Sequence, residues 1–555
     1  MNMKKLRLLT VLVAFALILA VTAGCTPQVT TTAPTTVPTT APTTTEGTTA
    51  PTEIKLPLTD KAVTYKMFVP VNRPEGDMTN NAIWKKITEL TGIQFEWECP
   101  VSSAAAERLT LILTSGQYPD IISTTTGSGA KYPGGLEVGV DDGVFLDLKA
   151  MVQEEAPIYW EYLSSNKSAM RDAITDKGYL PAIFEVTQKD SDLTVGLWCN
   201  VTRADWLEDL KLPVPETIDE WYTTLKAFKE QKGATFPLLW MLGKNPIWMQ
   251  AWGIYSNPVN ASGTGGQAQF YPDKNGKIHY GAVEQGFEDY LVTFSKWWAE
   301  GLYDRDFTTR EVFGLPTAAT LFGTGQAAVT GGYLAWSGMY MANATDPNFK
   351  IAVCPHPVLK KGDKATTIMN SPEYLGFNQW SITTQCDNPE LFLRLINWLS
   401  TEDGQLLTNY GIEGVQYNMV DGQPKFTDVI LKDPMGAFDA REIINGIFNP
   451  IRLQGKENLI KQVYDQQTLD NASIPSNSTS QMYLFYQLNE DEANELSEIF
   501  ADIHTYVAEN NDLAIMGEVD PAQWMEVQAE YIKGLGIDRC IEIVQGAYDR
   551  YMAKG

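Results

Sequence analysis

Apolar and polar residues alternate over 61–69, the period-2 pattern of a half-buried strand, which Pro70 ends. Asn81 then stands as a helix cap before Ile83, Trp84, Ile87 and Leu90, which share one helical face, and Gly92 lies just past them. Ile93, Phe95 and Trp97 predict a second strand, 104–114 a helix stopped at Gly116, and Ile121-Ile122 a third strand. Strand and helix alternating in this way predict a parallel sheet with crossover helices. Ligands of open α/β sheets sit outside the carboxyl ends of the strands. The candidate loops are therefore 71–76, 100–103 and 123–127, with Ser102 and Ser123 as candidate ligand contacts.

Further on, Thr217 stands three residues before Glu220, the spacing of a capping box, and Trp221, Leu225 and Phe228 follow on one helical face as far as Gly233. Pro237-Leu238-Leu239-Trp240 predicts a strand, which puts Trp240, Trp248 and Trp252 near its ligand-facing end. Each indole serves either as core or as a platform for the C–H face of a sugar ring. The stretch 271–280 predicts a β-turn between short strands. Its Asp273-Lys274-Asn275-Gly276 begins like a calcium loop but lacks the later carboxylates, so no metal is expected there. An amphipathic helix over 287–301 carries Tyr290, Phe294, Trp297 and Trp298.

The segment 321–329 predicts a helix end running into a strand, after which come Gly331, Gly332, Tyr333 and Trp336. Permissive glycines at a strand end followed by two aromatic residues make Tyr333 and Trp336 the leading candidates for ligand contact. The glycines of 323–325 match half of a dinucleotide fingerprint, but they precede a strand, which rules that reading out. Strands are expected over 351–357 and 380–382, and a helix over 391–399. In 410–417, Glu413 lies between glycines, where it either hydrogen-bonds a ligand or braces a hinge, and Tyr417 follows. The end, 524–551, reads as helical.

Lys4, Lys5 and Arg7 before an apolar run over 8–21 mark a targeting segment, and Thr22-Ala23-Gly24-Cys25 is similar to a lipobox in which Cys25 carries lipid. Residues 26–55 are dominated by Thr, Pro and Ala, which cannot bury a core and predict an extended tether. The remaining chain is too long for one core and predicts two lobes. With 42 Lys and Arg against 68 Asp and Glu, a net charge of −26 argues against nucleic acid as a partner. The 15 Trp and 24 Tyr supply flat apolar faces in excess of what one core needs. Five cysteines after Cys25 have no CxxC spacing and, being odd in number, cannot all pair, so the expectation is buried free thiols, with one disulfide of unassigned pairing as the alternative. His279, His356 and His504 lack paired zinc spacing, no phosphate-binding GxxxxGK[ST] occurs, and Ser164-Ser165-Asn166-Lys167 lacks the companion motifs of a penicillin-binding enzyme. No cofactor is implied.

The order Arg203-x-Asp205-Trp206-Leu207, Leu210-x-Leu212, Pro215, then Thr217-x-x-Glu220-Trp221, resembles the bacterial extracellular solute-binding proteins of family 1, the sugar-capturing lipoproteins of ABC importers. Residues 113–122, 321–329 and 410–422 and the closing helices resemble further segments of that family, in the same order. The resemblance implies an α/β, two-lobed periplasmic-binding-protein-like fold of type II, with mixed sheets, flanking helices and a hinge. It places 56–188 and 358–428 in the first lobe, and 189–357 and 429–555 in the second. It implies a monomer, not an enzyme, held by lipid on Cys25 at the extracellular face of the membrane or its periplasmic side. The implied partners are an oligosaccharide and ABC permease subunits with a cytoplasmic ATPase. A tethered glycan-active hydrolase and a ligand sensor for a membrane receptor are the alternatives.

Overall fold

Asn81 Oδ1 accepts hydrogen bonds from the backbone N–H groups of Ile83 at 2.9 Å and Trp84 at 3.2 Å. The helix Ala82–Thr91 starts on that cap and ends at Gly92, whose φ of 78° a side chain would resist. The helix Ser102–Ser115 starts without a side-chain cap but stops in the same way, at Gly116 with φ 67°. Thr217 and Glu220 form the expected capping box at the start of helix Ile218–Lys232, and Gly233 ends it.

The computed structural model describes residues 54–71, 76–124, 130–186, 198–239, 246–258, 269–310, 315–367, 375–433, 436–444, 446, 450–451, 457–464, 466–471, 474, 479–480 and 488–554. Cys25, residues 26–53 of the tether and Trp240 lie outside the described residues. The main strands are β1 Val63–Phe68, β2 Ile93–Glu98, β3 Ile121–Ser123, β4 Ile183–Val186, β5 Trp198–Arg203, β6 Val329–Tyr333, β7 Ile351–Cys354 and β8 Leu375–Ile382. The first sheet has the order β2-β1-β3-β8-β4. β1 is parallel to β2 and β3, whereas β8 runs antiparallel to β3 and β4. In the second sheet β5 lies between β6 and β7, antiparallel to both.

Two large cores result. One gathers Phe68, Ile83, Ile87, Ile121, Ile183, Trp380, Phe392 and Leu395 around the first sheet. The other gathers Trp221, Trp248, Tyr290, Phe294, Trp297 and Tyr303 with the C-terminal helices Glu490–Ile515, Pro521–Leu535 and Ile537–Ala553. A satellite cluster holds Tyr410, Tyr417, Phe426, Ile430, Leu459 and Val463.

The end is helical over 524–551 as expected, in two helices that meet at Gly536, with φ 105°. The expected strand 237–240 is reduced to isolated bridges of Leu238 to Tyr303 and Val329, since Pro237 has no N–H to continue a ladder. Contacts also run across the expected boundary at 428/429. Arg441 bonds Asn409, Asn81 Nδ2 donates to Ile444 O at 2.8 Å, and Ile451 joins the first core, so the residues described over 429–464 pack on the first-lobe side.

Candidate ligand-binding site

The chain leaves the first sheet at the end of β4 and enters the second at the start of β5; it returns between the end of β7 and the start of β8. These strand ends border the crossovers, and β3, antiparallel to β8, brings its carboxyl end to the same edge. A polar set is buried there. Ser123, Thr124, Glu185 and Asn378 are each no more than 3% exposed. Asn378 Nδ2 donates to Glu185 Oε2 at 2.6 Å, and Gln379 Nε2 donates to Thr124 O at 2.7 Å and to its hydroxyl at 2.9 Å. The register of β8 against β4 slips between Leu375 and Gln379, a bulge that spans Asn378. Polar groups taken out of water this completely need partners, and these find some of theirs in one another.

The second sheet offers a matching set. Asn200 on β5 is buried, and its Nδ2 has no hydrogen-bond partner among the described residues. His356, two residues past β7, is buried with its Nδ1 2.6 Å from Gln250 Nε2, which also donates to Ile247 O at 3.0 Å. An amide nitrogen only donates, so Nδ1 accepts and the imidazole proton sits on Nε2. At the end of β6, Gly332 has φ 148°, and a Cβ there would lie 2.2 Å from Trp336 Cε3. The half-buried indole of Trp336 thus rests against bare backbone. This arrangement offers a hydroxyl-rich ligand fixed donors and acceptors and one flat apolar face. Among the described residues no group of three or more His, Cys, Asp and Glu is placed to hold a metal ion. The Asp273 carboxylate, in the segment that begins like a calcium loop, is occupied by the N–H groups of Asn275 at 2.8 Å and Lys277 at 2.9 Å, which hold its pKa below the usual range.

The residues expected from sequence fall out unevenly. Ser123 belongs to the buried set. Ser102 opens its helix and its hydroxyl donates to Val71 O at 3.2 Å, a bond within the first lobe. Trp248 is core: it is 2% exposed, and Trp221, Phe294 and Trp297 surround it at ring-centroid distances of 5.0, 5.9 and 5.7 Å. Trp252 is half-buried, edge-on to Tyr290. Tyr333 ends β6 in register with Trp198, and Trp336 follows it as described. Glu413 is exposed, and Tyr417 is packed beside Tyr410 in the satellite cluster. Thr124 lies in the candidate loop 123–127, whereas sequence reasoning passed over Glu185, Asn200, Gln250, His356, Asn378 and Gln379 as ligand contacts. The one available signal was polarity inside apolar runs, as in Ile183-Phe184-Glu185-Val186.

A family model described as bacterial extracellular solute-binding protein matches residues 75–406, more than half of the chain. The chain belongs to this family. Among curated relatives, lipoprotein LipO of Bacillus subtilis is 23% identical over 65% of this chain and 68% of its own length. The polygalacturonan/rhamnogalacturonan-binding protein YtcQ of the same organism is 23% identical over 60% of this chain and 63% of its own, so the match spans less than two thirds of that relative. Among solved structures, the alginate-binding protein AlgQ2 without calcium ion superposes with a TM-score of 0.70 at 21% identity, covering 89% of this chain and 99% of that one. The architecture is thus the two-lobed, type II one of solute-binding proteins. The family consists of extracellular binding proteins, and no described helix is long and apolar enough to cross a membrane.

Proposed function

We propose that this solute-binding protein captures an oligosaccharide between its lobes and presents it, lobes closed, to the permease of an ABC importer. The observation that carries this reading is the pair of buried polar sets at the strand ends bordering the crossovers, one in each lobe, with Trp336 beside the second. Sugar hydroxyls satisfy such donors and acceptors when water is expelled, and an indole covers the C–H face of a ring. A ligand that touches both sets favours the closed form over the open one by the difference in its contacts, and that difference drives closure. The similarity to YtcQ, a polygalacturonan/rhamnogalacturonan-binding protein, supports a glycan as the ligand class. Lipid on Cys25, with 26–55 as a tether, would keep the lobes at the membrane where the permease lies.

The test is thermal unfolding of the protein from residue 56 onward against a panel of oligosaccharides, with the glycan recovered afterwards. A ligand at 100 times its dissociation constant stabilises by about 2.7 kcal/mol. A clear rise in Tm with the glycan intact is expected. No shift with any sugar, or a shift accompanied by cleavage, would overturn the reading.

A further inference from the structure

The last turn of the chain reaches out of the second lobe and onto the first. Helix Ile537–Ala553 packs in the second core through Val544, Ala547, Tyr548 and Tyr551. Its final residues face the segment that follows the first-lobe helix Lys167–Ala173. Tyr551, 2% exposed, donates its hydroxyl to Asp172, and the Arg171 guanidinium lies 4.4 Å over its ring. Arg550 Nε donates to Asp176 Oδ2 at 2.9 Å, while its Nη1 takes Glu492 Oε1 at 2.7 Å. Lys554 Nζ bonds Ile174 O at 3.0 Å and pairs with Asp176 at 2.7 Å. Outside the crossovers, the ion pairs and side-chain hydrogen bonds that join the two large cores all fall in this patch, among the described residues.

Charge makes the patch selective. Arg171, Arg550 and Lys554 face Asp172, Asp176 and Glu492, an even balance on a chain whose net charge is −26. Two lobes that both carry excess negative charge repel each other, and a matched cluster supplies attraction at one spot only. Arg550 also spans three elements, since Glu492 belongs to the capping box that starts helix Glu490–Ile515.

We propose that this contact is a strut that holds the lobes at the angle seen here, so that its strength sets how far they open without ligand. The proposal rests on the two-lobed closing motion of the preceding section, but its test needs no ligand. Asp176→Asn weakens the bonds from both Arg550 and Lys554 at a partly exposed position and leaves both cores intact. Tyr551→Phe, which keeps the ring in its place, is the second variant. Spin labels go on cysteines introduced at the exposed Glu89 and Lys533, one in each lobe, with the half-buried Cys99 replaced by alanine.

Inter-lobe distances are measured by double electron–electron resonance on the ligand-free protein. A single narrow distance is expected for the parent, and a broadened or second population in both variants. A glycan found by the panel would then bind the variants with an affinity changed about three- to tenfold, as the competent fraction changes. Distance distributions that match the parent in both variants would overturn the strut. Broadened distributions with no glycan binding would leave the strut standing and overturn the proposed function.

Discussion

Arg203 holds Asp205, two residues ahead of it, through Nε to Oδ1 at 2.8 Å, with its guanidinium 4.4 Å over the ring of Trp206 and 4.6 Å over that of Phe349. The residue order that suggested the family is therefore a structural device. It pins the end of β5 to the helix Ala204–Leu210 that follows, and Asp205 Oδ1 also accepts from the backbone of Lys350, beside β7, at 3.4 Å. Arg203 is 2% exposed, so removing Asp205 leaves its buried charge only the more distant, exposed Asp346, 3.3 Å from its Nη2. Asp205→Ala should cost roughly 3–5 kcal/mol in urea unfolding. Replacing both partners, Arg203→Met with Asp205→Ala, should cost less than the sum of the single changes, which a double-mutant cycle measures.

The capping box gives a pH prediction of definite sign. Backbone N–H groups of Glu216 and Thr217 donate to the Glu220 carboxylate and, with Lys361 beside it, hold its pKa below the ordinary 4.5. A carboxyl depressed on folding binds fewer protons native than unfolded. Its contribution is therefore whole above about pH 4.5 and is lost as pH falls through the depressed value. Glu220→Gln should lower stability at pH 7 by that contribution and change little below the depressed value, so the acid limb of a stability-against-pH curve flattens. Thr217→Ala should cost ~1 kcal/mol at both ends of the range. An unchanged acid limb in the glutamine variant would show that the carboxylate does not titrate with folding.

The caps mark where sequence was readable. Asn81, Gly92, Gly116, Thr217 and Gly233 act on their own neighbours, so their meaning survives without knowledge of the fold. Helix Glu490–Ile515 offered the same kind of signal, since Asn489 and Glu492 form a capping box and Leu496, Phe500, Ile503 and Val507 are buried at spacings of one turn. It went unread because acidic residues crowd the other face. The polar sets were beyond reach for a different reason. Glu185 meets Asn378 only because β8 returns 193 residues later to lie beside β4. Trp248 and Trp252 stand four apart yet differ in burial, which depends on how tightly helix Gln285–Ala299 packs on each.

The cysteines test burial directly. The five described thiols are free, and burial pushes Cys99 up to about 11 and Cys199, Cys386 and Cys540 up to about 12. At pH 8 almost no thiolate is present at any of them. In the protein from residue 56 onward, a thiol-reactive dye should label Cys99 slowly and the others hardly at all until denaturant is added, when all five react. Fewer than five after unfolding would reveal a disulfide.

Gly332 and Trp248 together separate the candidate site from the core. An alanine at 332 faces a φ of 148° and carbons of Trp336 at 2.2 and 2.4 Å, so the indole must leave its seat. The strain costs about 1–3 kcal/mol, and the displaced ring no longer lies where a sugar would meet it. Gly332→Ala should therefore lower both Tm and glycan affinity. Trp336→Ala, at a half-buried side chain, should lower affinity with a smaller loss of Tm. Trp248→Phe, inside the aromatic cluster with Trp221 and Trp297, should lower Tm and leave affinity within a factor of about two, because small changes at distant sites add independently. Calorimetric titration of the three variants with a glycan that shifts the parent's Tm reads all of these. If Trp248→Phe weakened binding as much as Trp336→Ala, the second lobe's ligand surface would lie deeper than the end of β6.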